Sequence, residues 1–162
     1  MTSAAADLVH LAVGRGLMLA CAESLTGGLV AAALTDVPGS SAAVRGGIVA
    51  YASDLKVDLL GVPTSVVAEH GVVSSECAAA MAMGVRERLD ADYGISTTGV
   101  TGTAAQEDKP VGTVFIAVAG PDGVEVEALA LVGSRPEIRN ATVGAALEFT
   151  LRVLRREEPA VG

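Results

Sequence analysis

Residues 111–132 read VGTVFIAVAGPDGVEVEALALV, two apolar runs separated by a short polar break. The runs, at 111–119 and 124–132, are rich in the β-branched residues that favour strands. The Pro-Asp-Gly sequence at 121–123 is a strong turn signal between them. This stretch therefore predicts an antiparallel β-hairpin, and a further strand-like run precedes it at 93–98.

Helical periodicity and turn residues divide the remainder of the chain. Two more strands are predicted at 17–22 and 44–52, with helices at 3–14, 26–34, 55–60, 74–90 and 136–154 and a helical turn beginning at Pro63. Gly46-Gly47 indicates a close backbone approach within the second of these strands. Helices on both sides of buried strands and a hairpin predict an α/β fold, a three-layer α/β/α sandwich with a mixed sheet. We expect one domain over residues 1–162, frayed after about residue 155.

Composition excludes several classes of function. The chain has 11 Lys and Arg against 19 Asp and Glu, a formal net charge of −8, and carries no basic block. Nucleic acid is therefore not an expected partner, because phosphate contacts require clustered cations. The longest apolar stretches fall short of the roughly 18 residues of a membrane span, and the N-terminal residues lack the pattern of a secretory signal. A cytoplasmic protein with no membrane partner is expected.

The cysteines and histidines give little support to redox or metal chemistry. Cys21 and Cys77 are the two cysteines of the chain, and they do not form a Cys-x-x-Cys pair. Two reduced, buried thiols are favoured over a disulfide. His10 and His70 have no histidine or cysteine at metal-ligand spacing. Neither a metal nor a cofactor is expected.

Four stretches rich in Gly, Ser and Thr lie at the ends of predicted strands, where open α/β sheets place their ligands. They span residues 22–28, 39–41, 97–102 and 133–135. The helix predicted after the first stretch would direct free N–H groups towards a ligand such as a phosphate. No nucleotide-triphosphate loop or dinucleotide fingerprint is present. Each stretch alone is also compatible with an ordinary turn.

Ser41, Tyr51 and Lys56 form a sharper constellation. Lys56 is one of two lysines in the chain. If it is partly buried, desolvation lowers its pKa, and the neutral amine can take a proton from Ser41 or Tyr51. A serine without a histidine partner becomes a nucleophile in this way. The competing interpretation is a turn-capping serine, a packed tyrosine and a solvated lysine, and spacing alone favours it.

Several ordered motifs together closely resemble the CinA C-terminal domain family over residues of about 5–155. The motifs are Ala22-Glu23-Ser24-Leu25-Thr26-Gly27-Gly28, Val37-Pro38-Gly39-Ser40-Ser41, Gly47-Ile48-Val49-Ala50-Tyr51 continuing to Lys56, Gly61-Val62, His70-Gly71-Val72-Val73-Ser74 and Lys109-Pro110-Val111-Gly112-Thr113-Val114. The resemblance implies a stand-alone nicotinamide-nucleotide amidase. Such an amidohydrolase converts nicotinamide mononucleotide and water to nicotinate mononucleotide and ammonia, a salvage step for pyridine nucleotides.

The resemblance also implies roles for individual residues. The catalytic set falls on Ser41 as nucleophile with Tyr51 and Lys56, and Arg135 is implied to hold the substrate. The substrate phosphate is expected on loop N–H groups near residues 26–28 or 99–103. The expected substrate-binding residues are thus Ser24, Thr26, Gly27, Gly28, Gly99, Thr101, Gly102 and Arg135. A homo-oligomer is implied as well.

The chain departs from the family pattern at residues 99–108, which read GVTGTAAQED, where relatives carry Gly-x-x-Gly-Pro and further glycines. Fewer glycines change which N–H groups can reach a phosphate. A non-catalytic nucleotide-binding or competence-associated module is therefore the alternative function, and an amidase for another small amide is a third. We also expect Tyr51 close to Ser41, and a separation of the two would contradict the catalytic set.

Overall fold

The computed structural model describes residues 3–102 and 105–157 of the chain. Its strands are β1 (Leu19–Glu23), β2 (Val44–Val49), β3 (Tyr93–Gly99), β4 (Thr113–Gly120) and β5 (Gly123–Ala130). They form one sheet in the order β2-β1-β3-β4-β5. β1 pairs in parallel with β2 and β3, whereas β4 is antiparallel to both β3 and β5. The predicted mixed sheet and its hairpin are confirmed.

Helices cover both faces of the sheet. They are α1 (Ser3–Arg15), α2 (Leu29–Thr35), α3 (Ser53–Leu60), α4 (Thr64–His70), α5 (Ser75–Arg88) and α6 (Arg135–Arg156), with a 3₁₀ turn at Ser40–Ala42. Residues of α1, α2 and α6 share one apolar cluster, and residues of α3, α4 and α5 contribute to another. The α/β fold with three layers, predicted from the alternation of elements, is confirmed.

The main differences from the predicted boundaries lie at the loop after β1. α2 begins at Leu29 instead of residue 26, because residues 25–28 form consecutive turns. Gly27 and Gly28 adopt φ angles of 57° and 105°, a left-handed conformation that glycine tolerates best. At the other end of the chain α6 continues to Arg156, and the remainder of the predicted frayed tail, residues 158–162, lies outside the described residues.

The predicted close approach at Gly47 is present. A Cβ atom on Gly47 would lie 2.8 Å from Cys21 Sγ and 3.2 Å from the Ala31 side chain, so β2 can lie against α2 only with glycine there. Cys21 and Cys77 are both free and buried, as predicted. They belong to different apolar clusters, on opposite faces of the sheet.

The sheet topology determines where a site can form. β1, β2 and β3 run in the same direction, so their carboxyl ends at Glu23, Val49 and Gly99 share one edge of the sheet. Three of the four stretches rich in Gly, Ser and Thr lie at this edge, at residues 22–28, 97–102 and 133–135. Within the described residues, none of the helices is both long and apolar enough to cross a lipid bilayer.

Candidate functional site

A cavity of about 220 Å³ opens at the carboxyl ends of β1, β2 and β3. Its lining residues are Ser24, Leu25, Tyr51, Ser53, Lys56, Val72, Gly99, Thr101, Gly102, Gln106 and Arg135. A larger open groove of about 650 Å³ lies between the end of α5 and the β4–β5 turn, but no hydroxyl, thiol or lysine amine lines it. The smaller cavity therefore holds the chemistry-bearing side chains.

Lys56 lies at the floor of this cavity and is 1% exposed. Its Nζ atom donates hydrogen bonds to the carbonyl oxygens of Ala50 and Tyr51, at 2.8 and 3.2 Å. Burial lowers the pKa of Lys56 below its usual range, against the opposing influence of Cys77 and then Glu107. A lysine in this environment reaches its neutral form more readily than one in water.

Ser24 is the hydroxyl that faces Lys56. Ser24 Oγ lies 3.1 Å from Lys56 Nζ, and the serine follows directly after β1. The Ser24 N–H donates to the carbonyl of Thr97 on β3, at 3.1 Å, which fixes the serine at the edge of the sheet. Ser24 was expected among the substrate contacts, and the structure adds its contact with Lys56.

The structure separates Ser41 from Tyr51 and Lys56, so the predicted nucleophile must be corrected. Ser41 lies in the 3₁₀ turn that precedes β2, whereas Tyr51 and Lys56 follow β2. Six strand residues span about 20 Å, so Ser41 lies at the amino end of β2, and Tyr51 and Lys56 lie at its carboxyl end. Ser41 is exposed and does not line the cavity. The expected proximity of Tyr51 and Ser41 is therefore wrong, and Ser24 occupies the position beside Lys56.

Tyr51 and Arg135 form the rim of the cavity together with Thr101. Arg135 donates from Nη1 to Thr101 Oγ1 at 3.0 Å and from Nη2 to the Tyr51 hydroxyl at 3.3 Å. Tyr51 is 59% exposed, so both groups can be reached from solvent. A guanidinium group held in this way presents positive charge at the mouth of the cavity, as expected for recognition of an anionic substrate group.

Five of the eight predicted substrate-binding residues line the cavity, and three do not. Those in the lining are Ser24, Gly99, Thr101, Gly102 and Arg135. Thr26 is instead fully buried, with its hydroxyl 2.8 Å from that of Thr97, and Gly27 and Gly28 form the turn into α2. Thr103, at the end of the predicted phosphate loop, lies outside the described residues.

The N–H groups at the start of α2 are not available to a ligand, contrary to expectation. The Glu23 carboxylate is buried and accepts hydrogen bonds from Val30 N at 2.8 Å and Ala31 N at 3.1 Å. An internal carboxylate therefore occupies the anion position at this helix terminus. The Val30 and Ala31 N–H groups therefore do not supply the expected phosphate contact, and contacts from the loops near residues 26–28 or 99–103 stay a prediction.

Sequence reasoning missed Arg139, which holds the loop after Ser24. Its guanidinium donates to the carbonyls of Leu25 at 2.9 Å and Thr26 at 3.2 Å. Arg139 follows Arg135 by four residues on α6, so both side chains emerge from one helix face. The four-residue spacing of Arg135 and Arg139 was the sequence signal that could have identified Arg139. Ser53 and Gln106 in the cavity lining were also missed, since isolated polar residues carry no sequence signal of a site.

Comparison with known proteins gives one consistent family. A relative from Frankia casuarinae, a CinA-like protein, is 56% identical over 147 residues, which are 91% of this chain and 34% of that protein. A CinA-like protein of Gemmatimonas aurantiaca is 45% identical over 151 residues, 91% of this chain and 35% of its own length. The chain thus spans about a third of the curated relatives that it matches.

Solved structures agree with this comparison. The competence/damage inducible protein CihA of Agrobacterium tumefaciens is 38% identical with a TM-score of 0.86, covering 96% of this chain and 98% of that one. A CinA superfamily protein of Klebsiella pneumoniae is 28% identical with a TM-score of 0.91, covering 94% and 96%. The family model described as the CinA C-terminal domain matches residues 1–154. The chain therefore belongs to the CinA family.

Proposed function

We propose that the chain is an amidohydrolase that cleaves the carboxamide of nicotinamide mononucleotide, with Ser24 as the nucleophile and Lys56 as the general base. The observation that carries this proposal is the surroundings of Lys56 Nζ. Its contacts are two carbonyl oxygens and Ser24 Oγ. Carbonyls can only accept hydrogen bonds, so a neutral amine directs its two hydrogens to them and its lone pair towards the serine.

The chemical steps follow from this geometry. Neutral Lys56 takes the Ser24 hydroxyl proton while Ser24 Oγ attacks the carboxamide carbon. The tetrahedral intermediate collapses, the C–N bond breaks, and the Lys56 ammonium returns the proton to the departing ammonia. Lys56 then takes a proton from water, which attacks the acyl ester. Ser24 leaves with that proton, releasing the carboxylic acid.

The developing oxyanion requires donors close to Ser24. Among the residues that the structure describes, the N–H groups of Leu25 and Thr26 make no hydrogen bond. Both residues directly follow the nucleophile, and Arg139 holds their carbonyls. We infer that the N–H of Leu25, which lines the cavity directly after the nucleophile, supplies an oxyanion donor.

Nicotinamide mononucleotide fits the charge of the cavity. Its phosphate is an anion, and Arg135 lies at the rim with Thr101 and Tyr51. The pyridine ring has few aromatic partners in a chain without tryptophan, so Leu25, Val72 and backbone edges would contact it.

The decisive experiment measures ammonia release from nicotinamide mononucleotide. Ser24→Ala should lower kcat by roughly a thousandfold or more, as loss of a serine nucleophile does in other hydrolases. Ser41→Ala is the matched control and should retain the wild-type rate. Circular dichroism should show both variants folded. Full turnover by Ser24→Ala would overturn the assignment.

A nucleotide-binding module without turnover is the alternative, motivated by the sequence at residues 103–108, which departs from the family pattern. Calorimetry with nicotinamide mononucleotide separates the two. Binding by the wild-type protein without any ammonia release would identify the module and exclude the amidase. A panel of other pyridine amides would show whether the pocket takes a different small amide.

A further inference from the structure

The turn beside the cavity has an unusual sequence for its conformation. Gln106 and Lys109 exchange two backbone hydrogen bonds, of 3.1 and 2.9 Å, across the two residues between them. Those residues, Glu107 and Asp108, have φ angles of 53° and 60°. A two-residue turn with both φ angles positive favours Asn and Gly, and glutamate is a poor choice for it. A contact of the Glu107 side chain must therefore compensate for its backbone conformation.

That contact is with the connection between α4 and α5. The Glu107 carboxylate accepts hydrogen bonds from Val72 N at 2.9 Å and Val73 N at 3.0 Å. Gly71 leaves the space that it needs, because a Cβ there would lie 2.5 Å from Glu107 Oε2. Gly71 also has a φ of 76°, so a side chain at this position would be strained in any case.

The two hydrogen bonds from Val72 N and Val73 N to the Glu107 carboxylate, called the Glu107 clamp, join two walls of the candidate site. Gln106, next to Glu107, lines one side of the cavity, and Val72 lines another. Val72 is itself tied to the sheet, since its carbonyl accepts a hydrogen bond of 2.7 Å from Thr98 Oγ1 on β3. The position of Gln106 relative to the sheet edge therefore depends on the Glu107 carboxylate.

Glu107 also contributes charge near the buried amine of Lys56. Ser24 from the loop after β1 contacts Lys56, and Tyr51 and Arg135 lie at the rim of the same cavity. Cys77 on α5 and Glu107 on this turn influence Lys56 electrostatically. Cys77 and Glu107 both favour the protonated lysine. Burial raises the pKa of Cys77 to about 11, so at neutral pH it is an uncharged thiol. Glu107 is the carboxylate of this pair, and it also forms an ion pair with Lys109 Nζ at 3.8 Å on the same turn.

We propose that Glu107 is a positioning residue of the site: its carboxylate fixes the Gln106 wall against Val72 and Val73 and adds to the negative potential at Lys56. The proposal rests on the amidase function for its catalytic consequence. The Glu107 clamp and its effect on the lysine are properties of the folded chain and can be measured without turnover.

The first test is an NMR titration of lysine. Lys56 and Lys109 are the two lysines of the chain, so Lys109→Arg leaves Lys56 as a single signal. In that background Glu107→Gln should shift the Lys56 titration to lower pH, because a negative charge that favours the ammonium form is lost. Hydrogen exchange of the Val72 and Val73 amides should become faster. Asp108→Asn, on the same turn, should change neither quantity.

The second test measures ammonia release from nicotinamide mononucleotide against pH. In Glu107→Gln the acidic limb of the pH profile of kcat/KM should move to lower pH together with the Lys56 titration. KM should rise roughly tenfold, because Gln106 no longer holds its position in the cavity wall. Glu107→Asp, which keeps the charge, should retain the wild-type limb. A merely structural glutamate would lower kcat/KM equally at every pH.

The outcomes separate the two proposals. An unchanged Lys56 titration or unchanged amide exchange in Glu107→Gln would overturn the positioning role. Absence of ammonia release by the wild-type protein would overturn the amidase function, while the NMR titration would still decide the role of Glu107.

Discussion

Lys56 Nζ lies 3.1 Å from Ser24 Oγ, across the carboxyl edge of the sheet. The two residues are 32 positions apart in the chain and reach each other because β1 and β2 are parallel neighbours. Ser24 directly follows β1, and the connection from β2 into α3 brings Lys56 back over the same edge. The remaining contacts of the amine are carbonyls, so its ionisation state determines whether it can accept the serine proton.

The first prediction concerns the pH dependence of stability. Burial lowers the pKa of Lys56 below the ordinary value of 10.5, so the unfolded chain binds this proton more readily than the folded chain. The resulting cost is complete below the folded pKa, falls as pH rises towards 10.5, and is absent above it. Wild-type stability should therefore rise with pH over this interval relative to Lys56→Met. Urea unfolding of both proteins at a series of pH values measures the difference.

Leu59→Met, at an exposed position of the same helix α3, is the control for that experiment, because it introduces the same side chain and removes no titratable group. Its stability should follow the wild-type pH dependence. Parallel curves for the wild type and Lys56→Met would show that the Lys56 amine is not perturbed in the folded state.

The second prediction concerns the buried carboxylate of Glu23, which accepts hydrogen bonds from Val30 and Ala31 at the start of α2. Glu23→Gln preserves shape, but the amide has one acceptor oxygen, so one buried N–H loses its partner. Loss of about 2 kcal/mol in the free energy of unfolding is expected. Glu148→Gln, at an exposed position on α6, is the matched control and should be nearly neutral. Equal stability of the two variants in urea unfolding would contradict the capping role.

The fold could be predicted largely from sequence because its signals are local. The hairpin at residues 111–132, the long helices and the mixed sheet follow from apolar periodicity and turn residues. The predicted boundaries of helices and strands were wrong where turn geometry determines them. The Thr-Gly-Gly sequence after Ser24 suggested a helix start at residue 26, whereas both glycines are needed for left-handed turns and α2 begins at Leu29.

The site was predictable only in part, because its contacts cross the sheet. Lys56, Tyr51 and Arg135 were expected in the site and do line the cavity, but their roles came from the resemblance to the CinA C-terminal domain family, because spacing alone favoured ordinary structural residues. Ser41 is nearer than Ser24 to Lys56 along the chain, yet β2 separates it from the lysine. Spacing along the chain cannot show at which end of a strand a residue lies. The contact of Glu107 with Val72 and Val73 likewise joins segments about 35 residues apart and leaves no local pattern.

The third prediction concerns two buried hydroxyls that join the loop after β1 to β3. Thr26 Oγ1 and Thr97 Oγ1 lie 2.8 Å apart, and both residues are almost fully buried. Thr26→Val leaves the Thr97 hydroxyl without this partner and should cost about 1–2 kcal/mol of unfolding free energy. In Thr26→Val with Thr97→Val neither hydroxyl remains, so the double variant should be more stable than the sum of the singles predicts. Strictly additive losses in a double-mutant cycle would show that the pair is not coupled.

The fourth prediction compares two glycines within helices, where alanine normally stabilises a helix by about 0.5–1 kcal/mol. A Cβ on Gly84 of α5 would lie 1.9 Å from the carbonyl oxygen of Leu60 at the end of α3, whereas a Cβ on Gly144 of α6 meets nothing within 4 Å. Gly84→Ala should therefore destabilise the protein by about 1–3 kcal/mol, because α3 must move away from α5. Gly144→Ala should stabilise it.

Since α3 carries Lys56, the displacement in Gly84→Ala should also lower the rate of ammonia release, which Gly144→Ala should leave unchanged. Thermal unfolding and turnover of both variants test the two effects, and opposite shifts in melting temperature are the expected result. A stabilised Gly84→Ala would mean that α3 and α5 are not in close backbone contact, and the support of Lys56 by that contact would then be wrong.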